Sequence, residues 1–362
     1  MTFNQSKIAQ ITSLGLISSI ILVSLLGCSN STQAQEERPL RKLILEQILR
    51  RNPNRENPTR ESAITKDMAL ESLSYQGTSR NYYLYVPSSY QSGKPMPLVL
   101  AFHGGRGSGD RLAANTRLND VASREGFIVA YPNGINNQWN DGRNAQGSDA
   151  KIDDVGFVST LIDKLVRKKS IDKNKVYAVG TSNGGMFTQR LACQMPNKIA
   201  AFATVSAALP KNLQSSCNPR RPVPMMMING NADPIVRWEG GEVARDIRGR
   251  SGQKPSGVGG ELMSIPATVA FWRSNDGCSV QPRIEKLPDT QPDGTQVTRA
   301  QYSNCRNSSQ VVLYTIDGGG HAWPGSSVKT EQRRQGDRAS KVSQDISASN
   351  IIWDFLKSKT LQ

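Results

Sequence analysis

Three side chains, far apart in the chain, are of the types that together break an acyl bond: a serine in a glycine turn, an aspartate after an apolar run, and a histidine. The serine stands in Gly180-Thr181-Ser182-Asn183-Gly184, a G-x-S-x-G match between the apolar run Val176–Val179 and a segment with Met186, Phe187, Leu191 and Ala192 near helical spacing. A strand, a tight turn and a helix are therefore expected. Such a turn lifts a hydroxyl clear of the sheet edge, where a base can reach it, and the helix start offers backbone N–H groups to a developing oxyanion. A second glycine turn, His103-Gly-Gly-Arg-Gly-Ser-Gly109, follows the apolar run Pro97–Phe102. It is the natural source of a further oxyanion donor, with Gly105 first and Arg106 next.

The chain has only two histidines. His103 precedes the serine, whereas His321 follows in the loop Asp317-Gly-Gly-Gly-His-Ala-Trp-Pro-Gly325, so His321 is the expected base. Asp233, just past the apolar run Pro222–Ile228, is placed to orient it; Asp317 and Asp246 are alternatives. Trp139 and Trp323 are candidates for the wall of an aromatic or hydroxyacyl pocket, with core packing as the competing role. No metal or other cofactor is expected, and the carboxylates Asp153 and Asp154 read as helix-capping groups.

The elements that must position these residues alternate between strand and helix from about residue 80 onward, which implies a mostly parallel sheet covered on both faces. Strands are expected over 71–75, 80–86, 97–102, 127–131, 176–179, 200–206, 222–228, 295–302 and 310–316. Helices are expected over 117–125 and 155–168, after Ser182, through Trp272, and over 346–356. Residues 240–260, rich in glycine and charge, read as a mobile rim loop. Ser182, Asp233 and His321 then fall in turns after strands in the order nucleophile, acid, base, which is the α/β-hydrolase order.

At this point the sequence resembles the esterase and poly(3-hydroxybutyrate) depolymerase family, which includes feruloyl esterases. The resemblance rests on Phe102-His-Gly-Gly105, Tyr131-Pro-Asn-Gly134, Asp153-Asp-Val-Gly-Phe157, Gly180-Thr-Ser-Asn-Gly-Gly-Met186, Asn229-Gly-Asn-Ala-Asp-Pro234, Trp272 with Cys278, and Gly320-His-Ala-Trp-Pro-Gly325, in that order over roughly residues 70–357. It implies an α/β-hydrolase fold, a triad of Ser182, Asp233 and His321, and an oxyanion hole from the amides of Gly105 and Asn183. Glycine stands at 105 where depolymerases often carry cysteine, and no separate polymer-binding domain follows. Smaller or soluble esters are thus expected rather than solid polyester. Feruloyl or acetyl-xylan esters compete with hydroxyalkanoates, and a catalytically silent lipoprotein that binds a ligand on the same scaffold is the reading from another class.

The remaining features concern address and partners. Residues 1–27 carry one charge, Lys7, and an apolar stretch ending in Leu25-Leu26-Gly27-Cys28, the pattern of an exported bacterial lipoprotein with Cys28 lipidated. Residues 28–66 read as a tether and basic linker, with a possible short helix over 38–51, and residues 67–362 as the catalytic domain. A membrane contact through Cys28 and an extracellular or periplasmic location follow as expectations. The other four cysteines suit an oxidising compartment, and sequence-adjacent pairing gives Cys193–Cys217 and Cys278–Cys305. The formal charge of +15 is spread along the chain without a nucleic-acid-binding motif, so no nucleic-acid partner is expected.

Overall fold

The computed structural model describes residues 67–144, 151–244, 257–326 and 341–361. The expected signal peptide, Cys28, the tether and the helix over 38–51 lie outside the described residues.

The chain enters as an antiparallel hairpin, β1 (Met68–Tyr75) and β2 (Thr78–Tyr85), turned by Gln76-Gly77 with positive φ at both positions. The central strands are β3 (Met96–Phe102), β4 (Ile128–Pro132), β5 (Ile171–Thr181), β6 (Ala201–Val205), β7 (Met225–Gly230) and β12 (Val311–Asp317). With β10 (Arg283–Lys286) and β11 (Gln296–Tyr302) at the far edge they form one ten-stranded sheet, ordered β1-β2-β4-β3-β5-β6-β7-β12-β11-β10. The six strands from β4 to β12 in that order pair in parallel, and both edges are antiparallel. Runs such as Ile128–Pro132 and Met225–Gly230 are buried throughout because helices cover both faces of the sheet. The three methionines at 225–227 fill core space there, as a buried strand requires.

One face is covered by α3 (Asp154–Lys168), α4 (Asn183–Gln194) and α6 (Ile265–Asp276), which pack around Leu98, Leu100, Phe102, Phe187 and Trp272. The other is covered by α1 (Gly109–Thr116), α2 (Leu118–Glu125) and α7 (Ala348–Leu356), around Val99, Phe127, Tyr177, Val179 and Trp353. A short turn of helix, α5 (Lys211–Gln214), follows β6. Asp153 caps α3 by accepting from the Gly156 amide at 2.9 Å, and Ser264 caps α6 through the Ala267 amide. The order of the parallel strands, with helices on both faces, is the α/β-hydrolase arrangement.

One expectation needs correction, and two elements lie outside the expected set. The described ends of the supposed rim loop over 240–260 are not loop: they form β8 (Gly241–Ala244) and β9 (Gly257–Leu262), an antiparallel pair anchored by buried Val243 and Leu262. Backbone pairing plus two apolar anchors outweighs the low strand propensity of glycine. Helix α1 went unread because it opens on a glycine and has few apolar residues. Strand β10 went unread because it is mostly exposed and shows no alternation.

The two disulfides join Cys193 to Cys217 and Cys278 to Cys305. Among the described residues no helix is long and apolar enough to cross a membrane.

Candidate active site

Ser182 stands at the carboxyl end of β5, in the turn before α4. Its backbone has φ 53° and ψ −124°, a region that costs a non-glycine residue about 1–3 kcal/mol. The turn is held on both sides. The Ser182 amide donates to the Val205 carbonyl at 2.9 Å, and the Ser182 carbonyl accepts from Met186 as α4 begins. Two glycines make the turn possible: a Cβ on Gly180 would lie 2.2 Å from the Gly184 carbonyl oxygen, and one on Gly184 would lie 2.3 Å from that of Phe102. Only glycine lets strand, turn and helix approach this closely.

His321 lies in the loop after β12, and Asp233 in the turn after β7. The structure brings them together: His321 Nδ1 and Asp233 Oδ2 are 2.7 Å apart. The carboxylate is buried, and its other oxygen accepts from the amides of Ile235 and Val236 at 2.8 and 2.9 Å. With Asp233 accepting, Nδ1 must carry the proton, which leaves Nε2 with its lone pair free. Asp317, the alternative partner, is not at the imidazole; it accepts from Asn231 Nδ2 at 2.7 Å on the exposed side of the turn. Asp246 lies outside the described residues.

The serine and histidine loops meet over the end of β6. Val205 binds the Ser182 amide, and its neighbour Ser206 donates through Oγ to the Ala322 carbonyl at 3.3 Å. Thr181 and His321 share the wall of a cavity of about 170 Å³ with Leu112 and Trp323. Trp323 is therefore at the site, with its indole N–H donating to Ser349 Oγ. Trp139 is not on the pocket surface. It is wholly buried, stacked on Phe187 and edge-on to Phe102, because its flat apolar ring fills the gap between α4 and β3.

The glycine turn after β3 is fixed by His103. This histidine is buried and engaged at both nitrogens: Nδ1–H donates to the Gly104 carbonyl at 2.7 Å, and Nε2 accepts from the Gly134 amide at 3.0 Å. Burial pushes its pKa below the ordinary 6.5, so the ring is neutral. The Arg106 amide is spent on the Asn137 carbonyl at 2.8 Å, which removes it as an oxyanion donor. Gly105 has no such partner among the described residues. Asn183 is the first residue of α4, where an amide has no acceptor within the helix. Its side chain is tied to the loop after β4, with bonds to the Trp139 backbone and to the Asp141 carboxylate at 2.7 Å. Nothing local in the sequence marks Asp141, because its partner lies 42 residues away.

The site thus holds a hydroxyl on a strained turn, an imidazole oriented by a carboxylate, and at the helix start an amide with no acceptor inside the helix, groups of the types that acyl transfer uses. The family model for the esterase PHB depolymerases matches residues 80–278, more than half of the chain. The chain belongs to this esterase family. With that membership the protein is a carboxylic ester hydrolase. A putative esterase NocK from Nocardia uniformis subsp. tsuyamanensis is 31% identical over 284 residues, covering 77% of this esterase and 80% of the relative. Feruloyl esterase B of Piromyces equi is 28% identical over 245 residues, covering 67% of this chain and 42% of its own length. Among solved structures, the acetyl xylan esterase from Aspergillus awamori aligns with a TM-score of 0.47 at 17% identity, over 73% of this chain and 97% of that one.

Proposed function

We propose that this esterase is an exported serine hydrolase that cleaves carboxylic esters through an acyl-enzyme on Ser182. Ser182 Oγ attacks the ester carbonyl as His321 Nε2 takes its proton. Asp233 steadies the imidazolium, and the amides of Gly105 and Asn183 hold the tetrahedral oxyanion. His321 returns the proton to the departing alcohol, and water then releases the acid by the same steps in reverse. The 2.7 Å pair between His321 and Asp233, together with a serine held at φ 53° on the neighbouring turn, supports this reading.

The substrate is a small or oligomeric ester, either a hydroxyalkanoate or a feruloyl or acetyl ester on polysaccharide. The family description and the relatives named for feruloyl and acetyl xylan esters support that range. Export through residues 1–27 is supported by the two disulfides, which fit an oxidising compartment, whereas anchoring through Cys28 and a tether over 28–66 rest on the sequence pattern alone. Hydrolysis of a short p-nitrophenyl ester by wild type and Ser182→Ala tests the chemistry, and ferulate, acetyl-xylan and hydroxybutyrate oligomers test the substrate. Activity above background that vanishes in Ser182→Ala is expected. Equal background rates in both proteins would leave only a silent, ligand-binding lipoprotein.

A further inference from the structure

The two amides assigned to the oxyanion come from different elements, the turn after β3 and the start of α4. Both are tied to the same segment, residues 134–143 after β4. On the β3 side, His103 Nε2 accepts from the Gly134 amide, the Trp139 indole N–H donates to the His103 carbonyl at 3.0 Å, and Asn137 Nδ2 donates to the Gly107 carbonyl at 2.7 Å. On the α4 side, Asn183 Oδ1 accepts from the Trp139 amide at 2.8 Å, and Asn183 Nδ2 donates to the Trp139 carbonyl at 3.0 Å and to Asp141 Oδ2 at 2.7 Å. Arg190, further along α4, donates to the Asn140 carbonyl at 2.7 Å. The segment is itself pinned to α3, since the Asn140 amide donates to Asp154 Oδ2 at 2.8 Å.

We infer that Asp141 is a positioning residue for the oxyanion hole, acting through the Asn183 side chain to fix where the Asn183 amide points; this rests on the acyl-enzyme reading above. Three facts favour Asp141 within the brace. It is the carboxylate among the acceptors of Asn183, and its 2.7 Å bond is shorter than the 3.0 Å bond to the Trp139 carbonyl, as bonds to carboxylates tend to be. Its charge is held in place by Arg143, whose Nε and Nη2 donate to Oδ2 at 2.9 and 2.7 Å and whose amide donates to Oδ1 at 3.0 Å. Asp141 and Arg143 side chains are both buried, so water offers no substitute acceptor. A pair of amides helps only if both donors sit at hydrogen-bonding distance from where the oxyanion forms, and a shift of about 1 Å costs about a hundredfold in rate.

The test is a mutant cycle on Asp141→Asn and Asn183→Ala, read by kcat, KM and inhibition by a trifluoromethyl ketone that mimics the tetrahedral state. Asn183→Ala keeps the backbone amide and the Asp141–Arg143 pair but removes the tie. Each single variant is expected to lower kcat about tenfold to a hundredfold with KM changed less than about threefold, and to weaken the ketone by the same factor as kcat/KM. The double variant is expected to be no worse than the poorer single one, because both act through one contact. Should Asp141→Asn fail to fold, Asn183→Ala alone decides: wild-type kcat and ketone affinity overturn the inference. Additive losses in the cycle, or losses in KM alone, overturn it as well. Ser182→Ala separates the two layers: hydrolysis that survives Ser182→Ala sinks the acyl-enzyme reading, whereas its loss alongside wild-type Asn183→Ala sinks only the role of Asp141.

Discussion

Replacing Gly184 by alanine puts the close packing around Ser182 under strain. The added Cβ would stand 2.3 Å from the Phe102 carbonyl oxygen and 2.4 Å from that of His103, where contacts under 3.0 Å essentially never occur. Both neighbours are backbone and cannot swing away. Helix α4 must therefore move off the end of β3 by about 0.7 Å to reach 3.0 Å. That motion carries Ser182 and Asn183 away from Gly105, which sits on the opposite side of the gap. Overpacking of this kind costs about 1–3 kcal/mol of stability. A displacement approaching 1 Å between the reacting groups costs about a hundredfold in rate. We expect Gly184→Ala to fold, to melt several degrees lower, and to lose at least about tenfold in kcat on a p-nitrophenyl ester. Gly104→Ala is the graded comparison: its Cβ meets Ser182 Cβ at 3.3 Å, so its loss of stability is smaller. A Gly184→Ala protein with wild-type kcat would refute the claim that this contact sets the separation of nucleophile and oxyanion donor.

Three further outcomes follow from the packing. His103 is held neutral, with its folded pKa below the unfolded value of 6.5, so the unfolded chain takes up its proton first as pH falls; its contribution is whole above pH 6.5 and is lost below, down to the folded pKa. His103→Asn should flatten that part of the stability-versus-pH curve in urea titrations, and an unchanged slope would contradict it. Arg80 and Asp154 form a buried pair at 2.6 Å, and Arg80→Ala, which leaves the buried carboxylate without this ion pair, should cost about 3–5 kcal/mol, more than Arg80→Met with Asp154→Asn together. Chemical denaturation of the single and double variants checks the order. Loss of the Cys193–Cys217 bridge, which closes 24 residues between α4 and the segment beyond α5, should cost about 3 kcal/mol on loop entropy, read as a lower melting temperature in Cys193→Ser/Cys217→Ser.

Much of this fold was legible because its signals are local. The run at Val176–Val179, the glycines around Ser182 and the helical spacing after it describe one compact unit, and the structure forms it as β5, turn and α4. The order of Asp233 and His321 along the chain followed from strands that each end at the same rim of the sheet. Asp317 competed with Asp233 because closeness in sequence does not fix which way a turn points; here it turns toward Asn231. What stayed hidden depends on contacts between distant segments. Trp139 stays open in the sequence between pocket wall and core packing, since a lone tryptophan in a polar loop gives no sign that Phe102 and Phe187 enclose it. The brace of residues 134–143 has no periodicity at all: its order comes from bonds between side chains and distant backbone, such as the one from Asn137 to Gly107 across 30 residues and the one from Arg190 to Asn140 across 50.

The most direct measurement is to treat the protein with a fluorophosphonate and locate the adduct by peptide mass spectrometry. The account predicts one phosphonyl group per chain, on Ser182, with ester hydrolysis lost in proportion to labelling and no adduct on Ser182→Ala. Full labelling at another residue, or hydrolysis that persists when Ser182 is blocked, would contradict it.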